Sequence, residues 1–177
     1  MPDPQRGFVS GFVSILGRPN AGKSTLLNAL VGAKLAIVSE KPQTTRLAVQ
    51  GVWHADNAQV IFVDTPGIHR SDTLFNRRMM HEVRSALDER DLLLYVADAT
   101  QPFGEEDSQA IDLVRKTNTP SFLVVNKIDR LKDKADLLPL IEEYKSCFEF
   151  QEYIPISALT GEGLDELKRE ILAKLPE

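Results

Sequence analysis

An apolar strand that runs into "GRPNAGKS" and straight on into a leucine-rich helix leaves a chain few folds to choose from. Gly17 and Gly22 bracket four residues and are followed by Lys23 and Ser24, the G-x-x-x-x-G-K-[ST] spacing of a phosphate-cradling loop. "FVSIL" precedes the loop, and Leu26, Leu27, Leu30 and Val31 follow it at the spacing of one helix face. The glycines let backbone N–H groups turn inward together. The helix that begins near Lys23 aims the positive end of its dipole at the same spot, and Lys23 adds a full charge. The Ser24 hydroxyl is a hard oxygen donor suited to a magnesium ion. Such a loop is built for an anion.

The rest of the chain alternates apolar runs with helical patterns. "LAVQGVW" and "QVIFVD" flank the turn-rich "HADNA" and predict an antiparallel hairpin. "DLLLYVAD", "SFLVVN" and "YIPIS" are short and continuously apolar, as strands covered on both faces are. In "EEDSQAIDLVRKTN" the stripe Ala110, Leu113, Val114 predicts a helix, with Glu105 and Glu106 opening it and Arg115 and Lys116 closing it. "LIEEYKS" reads as another helix, with the single Cys147 just after it as a small core residue. A last helix spaces Leu164, Leu167, Ile171 and Leu175 along one face. Residues 33–46 read as a long polar loop. The expected fold is α/β: a mainly parallel sheet with one antiparallel strand and helices on both faces. Ligands of such sheets sit beyond the carboxyl ends of the strands. The elements that follow the apolar runs are "GRPNAGKS", "DTPG", "DAT", "NKID" and "SAL", which places them all on that edge.

Composition narrows the class of protein. The 177 residues suit one domain with a sizeable core. No apolar run is long enough to span a bilayer, and "MPDPQRGFVSGF" lacks the cationic and apolar regions of a signal peptide. A lone cysteine makes no internal disulfide, so a cytoplasmic location is expected, with peripheral membrane contact left open. With 26 acidic against 21 basic residues, the net charge of -5 gives no general affinity for nucleic acid. The basic cluster "NRRMMHEVR" (Arg77, Arg78, Arg84) is interrupted by Glu82 and reads as a solvated helix face, with a partner surface as the alternative.

The other edge elements name a nucleotide. Asp64 of "DTPG" is placed to hold a magnesium ion through a water, and the Gly67 N–H to reach a terminal phosphate, although D-x-x-G by itself fits many turns. Asp129 of "NKID" can accept two hydrogen bonds from the guanine ring N–H and exocyclic amine, a pair that adenine lacks. Ala158 of "SAL" (Ser157, Ala158, Leu159) can offer its N–H to the guanine oxygen. A solvated turn also predicts Asn and Asp; the order of the motifs, each at a strand end, argues against coincidence.

Taken together, "GRPNAGKST", "KPQTTR", "VDTPGIH", "NKID" and "ISALTGEGLDEL" resemble the G domain of the Era family of bacterial ribosome-assembly GTPases, over roughly Gly11 to Leu175. The resemblance implies a P-loop GTPase fold and a molecular switch that converts GTP and water to GDP and phosphate. It gives the phosphate loop to the nucleotide through Asn20, Ala21, Gly22, Lys23, Ser24 and Thr25. Lys23 holds the β- and γ-phosphates, and Ser24 with Thr45 ligates magnesium, Thr44 being the neighbouring candidate. Asp64 is the water-mediated metal contact and Gly67 the γ-phosphate sensor. Asn126, Lys127 and Asp129, with Ser157, Ala158 and Leu159, bind the base. Related GTPases with an asparagine at the position of Asn20 use it to hold potassium, so K+ joins Mg2+ as a candidate cofactor and Asn20 joins Lys23 and Thr45 as a catalytic candidate.

The same resemblance implies a role in small ribosomal subunit assembly, with ribosomal RNA and the pre-ribosome as partners. Era-type proteins clamp RNA with a C-terminal KH domain. Here residues 1–177 are expected to be a single GTP-binding domain, structured over roughly 11–175, with no KH domain; "GEG" at 161–163 belongs to a turn of the G domain. Ile68 stands where Ras-like enzymes place a water-orienting glutamine, so intrinsic hydrolysis is expected to be slow. His69 is a weaker candidate base, and His54 and His81 have no evident partners. Segments 33–46 and 65–78 are the expected switch regions. Three rival readings are the G domain of a Der-like or MnmE-like GTPase, a P-loop ATPase or nucleotide kinase (which Asp129 argues against), and a nucleotide-sensing scaffold with negligible hydrolysis.

Overall fold

"LLLYVAD" and "SFLVVN" are apolar at nearly every position, and a strand of that kind is stable only with cover on both faces. The computed structural model, which describes residues 6–32, 49–64 and 87–177, supplies that cover. The described elements run β1 (Val9–Gly17), α1 (Lys23–Val31), β2 (Val49–Ala55), β3 (Ala58–Val63), β4 (Leu92–Asp98), α2 (Glu105–Arg115), β5 (Ser121–Asn126), α3 (Leu137–Cys147), β6 (Glu152–Pro155) and α4 (Leu164–Lys174). The strands form one sheet in the order β2-β3-β1-β4-β5-β6. Among the described strands only the β2–β3 pair is antiparallel, as expected.

The two-residue period of a strand divides each apolar run between two cores. Leu92, Leu94 and Val96 of β4, with Phe122 and Val124 of β5, pack toward Leu26 and Leu30 of α1 and Leu164, Leu167 and Ile171 of α4. The alternate residues Leu93, Tyr95 and Ala97, with Leu123 and Val125, pack toward Ile111 and Val114 of α2 and Leu140 and Tyr144 of α3. Helices therefore lie on both faces. Each is held by an apolar stripe that matches its own 3.6-residue period.

Several local expectations are refined. The hairpin is tighter than "HADNA" suggests: Ala55 pairs with Ala58, so Asp56 and Asn57 alone make the turn. The stripe on α2 includes Ile111 and the buried carboxylate of Asp107, while Ala110 is half-buried. Cys147 is only half-buried, and its carbonyl accepts from the Arg115 guanidinium at 2.5 Å. Leu175 is buried but lies one residue past the end of α4. Residues 33–46 and the cluster at Arg77, Arg78 and Arg84 lie outside the described residues. Among the described residues no helix is long and apolar enough to cross a membrane.

The sheet order matters for function because β1 sits between β3 and β4, and its carboxyl end opens where the chain departs to either side. The pairs Gly17↔Val96 and Asp98↔Asn126 align the ends of β1, β4 and β5 on one edge. Leu94 is fully buried at the centre of this arrangement, whereas Leu138 on α3 is 68% exposed. Leu94→Ala should cost about 3 kcal/mol of unfolding free energy in urea titrations, from lost transfer energy and the cavity left behind. Leu138→Ala should stay within about 0.5 kcal/mol of the parent.

Candidate nucleotide-binding site

The phosphate loop owes its shape to close approaches that only glycine permits. A Cβ on Gly17 would stand 2.4 Å from the Val96 carbonyl oxygen, and one on Gly22 would stand 2.2 Å from Asn126 Nδ2. Gly22 is also left-handed, with φ 97, as the residue before α1. Asn20 takes the left-handed region too, with φ 67, which asparagine tolerates better than most residues. The chain thus curls from β1 into α1 with its backbone pressed against β4 and β5.

The helix end itself is left free for an anion. No side chain caps α1 and no acidic residue lies in its first turn. By contrast, α2 opens with Glu105, Glu106 and Asp107, and α4 with Asp165 and Glu166. Acidic side chains normally gather at helix N-termini, where they offset the dipole. Their absence at α1 leaves the N–H groups and the dipole unopposed. Lys23 is half-buried and folds back over the loop, its Nζ donating to the Gly17 carbonyl at 2.8 Å. Burial pushes its pKa down, opposed by the nearby carboxylate of Asp64. Ser24 and Thr25 follow it on the exposed first turn.

A second group of residues gathers at the ends of β5 and β6. Asn126 is buried, and its carboxamide donates from Nδ2 to the Ala21 carbonyl at 3.0 Å. Its Oδ1 accepts from the Ala158 N–H at 3.0 Å, so that N–H, expected to face a ligand, is engaged within the protein. Lys127, left-handed at φ 69, lies across the phosphate loop. Its Nζ donates to the Asn20 carbonyl at 2.6 Å and to Asp98 Oδ2 at 3.0 Å. Asp129 is exposed on the short 3-10 turn Ile128–Arg130 and accepts from the Ser157 hydroxyl at 2.8 Å through Oδ1. Its other oxygen takes no hydrogen bond from the described residues. Ser157 is fully buried and also receives the Thr160 N–H at 3.0 Å, which orders the loop that carries the exposed Leu159.

Sequence reading missed the residues that brace these groups. Asp98 holds the Lys127 ammonium and is itself held by the Thr100 N–H at 2.8 Å and hydroxyl at 2.6 Å. Burial alone would raise its pKa; the bonds from Thr100 and Lys127 outweigh that and hold it below the usual carboxylate value. The polar "DAT" after β4 was the only signal of this. Arg18, inside the loop, reaches outward to the buried Asp107 at the start of α2 and to the Pro102 carbonyl. Tyr95 donates to the other oxygen of Asp107 at 2.6 Å. Burial, then the adjacent Asp107, drives the Tyr95 phenol far above its ordinary pKa, so it remains a donor at any physiological pH. Thr44, Thr45, Gly67, Ile68, His69 and His81 lie outside the described residues, while His54 is exposed on β2, remote from this edge.

The arrangement offers an anion cradle at one end and an exposed carboxylate beside a long alkyl stem at the other. Asn20 links them by its backbone, and its own carboxamide makes no hydrogen bond to any described residue. Among the described residues there is no cluster of three or more His, Cys, Asp or Glu side chains able to hold a metal by themselves. A magnesium ion bound mainly by substrate phosphates needs no such cluster, and the Ser24 hydroxyl with the Asp64 carboxylate beside Lys23 is a donor set that fits it.

Known proteins carry the same framework. The sequence profile of the 50S ribosome-binding GTPase family matches residues 12–127. GTPase Era from Syntrophus aciditrophicus (strain SB) is 51% identical over 170 residues, covering 96% of this chain and 55% of that protein. The chain thus spans little more than half the length of this relative. A solved structure of an Aquifex aeolicus Era variant bound to GDP.AlF4- superposes with a TM-score of 0.76 at 41% identity, over 96% of this chain and 58% of that one. Era in complex with MgGDPNP and nucleotides 1506-1542 of 16S ribosomal RNA gives 0.77 at 42% identity, with the same coverage. A profile match across most of the chain, on a sheet whose strand ends carry the family's motifs in order, makes this chain a member of the 50S ribosome-binding GTPase family.

Proposed function

We propose that this chain binds GTP and hydrolyses it to GDP and phosphate, and that its nucleotide state times an interaction with the assembling small ribosomal subunit. One observation carries the reading of the base: Asp129 is exposed and fixed by Ser157 at one oxygen, beside the stem of a Lys127 pinned across the phosphate loop. A carboxylate so held can accept from both the ring N–H and the amine of guanine, while adenine would leave it unsatisfied. Asn126 braces the two loops, and Ala158 and Leu159 line the base side. Lys23 and the N–H groups of Asn20 to Thr25 take the phosphates.

Ser24, Thr45 and Asp64 are assigned to magnesium, and Gly67 to the γ-phosphate. Bound magnesium draws charge from the phosphate oxygens and lowers the cost of the charge that develops during transfer. The chain's own residues position the rest: Lys23 neutralises the phosphates, and Asn126 fixes the loop against the base. Asn20 is assigned to a potassium ion, because its carboxamide makes no hydrogen bond to a described residue and is free to take a cation. Such a cation would supply the positive charge needed in the transition state.

The Era structure in complex with MgGDPNP and nucleotides 1506-1542 of 16S ribosomal RNA supports magnesium and a small-subunit partner for this chain as well. Residues 1–177 act as one GTP-binding domain with a core over 11–175, in the cytoplasm, and the grip on RNA lies mainly outside these residues.

Three measurements test the reading. Asp129→Asn should weaken GTP by about 2 kcal/mol or more, as a charged hydrogen-bond partner is lost, and should raise the relative affinity for xanthosine triphosphate. An unchanged preference between the two nucleotides would remove Asp129 from the base site. Hydrolysis should run faster in potassium than in sodium at equal ionic strength, and Asn20→Ala should abolish that difference while GDP affinity falls far less than the rate. Equal rates in both salts would return Asn20 to a scaffolding role, and no single-turnover phosphate release in either would favour a nucleotide-sensing scaffold. Finally, residues 1–177, at a net charge of -5, should bind ribosomal RNA weakly and with little sequence preference at physiological salt. Tight, selective binding in filter assays would place an RNA site within them.

A further inference from the structure

Arg90 is the one buried arginine among the described residues, 5% exposed, and nothing in the nucleotide reading uses it. It stands just before β4, across β1 from β3, and its guanidinium reaches over to where β1 and β3 cease to pair. Those two strands pair only as far as Val13↔Phe62, whereas β1 continues against β4 to Gly17. Beyond Phe62 the last residues of β3 therefore lack ladder bonds to β1. Side chains replace them. Arg90 donates from Nε to the Ser14 hydroxyl at 2.7 Å and from Nη2 to the Asp64 carbonyl at 3.1 Å. Ser14, fully buried, donates in turn from its hydroxyl to the Val63 carbonyl at 2.7 Å. One guanidinium thus holds two successive carbonyls at the end of β3, one directly and one through Ser14.

A buried guanidinium is an expensive way to fill such a gap, since its desolvation exceeds what an aliphatic side chain would incur. Here Nη1 is buried without a hydrogen-bond partner among the described residues, which adds to the cost. The return is directional: a planar fork fixes carbonyls in a way that packing cannot. The Asp64 carboxylate also lies within electrostatic reach of both Arg90 and Lys23.

We propose that Arg90, through Ser14 and the Asp64 carbonyl, is a positioning residue that sets Asp64 for the magnesium and γ-phosphate side of the site. This rests on the GTPase reading above. The role is specific to the triphosphate state: the base and the α- and β-phosphates are held by Asn126, Lys127 and the phosphate loop, none of which touches Arg90.

The test uses the whole chain and binding rather than turnover. Affinities for fluorescent GDP and for a non-hydrolysable GTP analogue are measured across a magnesium titration, with urea unfolding in parallel, for Arg90→Met, Arg90→Lys and Ser14→Ala. Arg90→Met should weaken the magnesium-dependent gain for the GTP analogue about tenfold, the equivalent of one charge-assisted hydrogen bond, and shift the magnesium midpoint upward. Its GDP affinity in chelator should stay within about twofold, because that contact set is untouched. Arg90→Lys, which retains the charge and an N–H donor group but not the planar fork, should recover part of the gain, and Ser14→Ala should shift the midpoint in the same direction by less. Loss of stability with an unmoved magnesium midpoint would overturn the proposal and leave Arg90 a structural residue. Should Arg90→Met fail to fold, the same decision falls to Ser14→Ala and Arg90→Lys: an unmoved midpoint in both overturns it. A parent chain whose GTP-analogue affinity ignores magnesium would instead overturn the reading of the site itself.

Discussion

The carboxamide of Asn126 holds two loops at once, and most of the site's geometry depends on it. Buried at the end of β5, it bonds the Ala21 carbonyl on one side and the Ala158 N–H on the other, each at 3.0 Å. A carboxamide sets a donor and an acceptor on one rigid plane, which lets a single side chain bridge two backbones. The contact also explains Gly22, because any Cβ there would occupy the space of Asn126 Nδ2. With the phosphate loop and the 157–163 loop locked to one strand end, Lys127 and Asp129 inherit fixed positions beside them. The site is therefore built on the sheet, and its loops are ordered by what the sheet presents.

Charge is arranged locally against the overall sign of the chain. A net charge of -5 predicts little for a polyanion, yet the carboxyl edge gathers Arg18, Lys23 and Lys127. Each is directed by a hydrogen bond: Arg18 outward to Asp107, Lys23 over the loop, Lys127 across it to Asp98. The acidic residues found in the first turns of α2 and α4 are missing from α1, as they are from α3. Net charge governs encounter at long range, while fixed dipoles and oriented cations govern a contact site. The two are independent here.

The buried polar groups share one logic. Asp107 accepts from Arg18, Tyr95 and the Gly104 N–H, and Ser14 both accepts and donates. Such groups cost free energy unless satisfied, and satisfied ones specify a single arrangement. On one side of the phosphate loop this network ties β1 to α2; on the other, Arg90 and Ser14 tie β1 to the end of β3. The loop is braced from both directions.

The amino-acid sequence alone determined the strands and helices, the single antiparallel pair, the phosphate loop and the motifs that follow each strand. These are local properties: a period of two or 3.6 residues, and a glycine spacing that a particular turn requires. It also carried the guanine reading, since Asp129 follows an apolar run at a strand end. Tertiary structure alone decided which polar residues meet. Nothing local in the sequence marks Arg18, Arg90 or Asp98; only the fold brings Asp107 against the first, Ser14 against the second and Lys127 against the third. Arg90 and Ser14 are 76 residues apart in the chain, and Lys127 and Asn20 are 107 apart. Periodicity says that a strand exists and which way its side chains alternate; it does not say which strand lies beside it. That neighbour is set by the packing of two cores around the whole sheet, and with it every long-range hydrogen bond of the site.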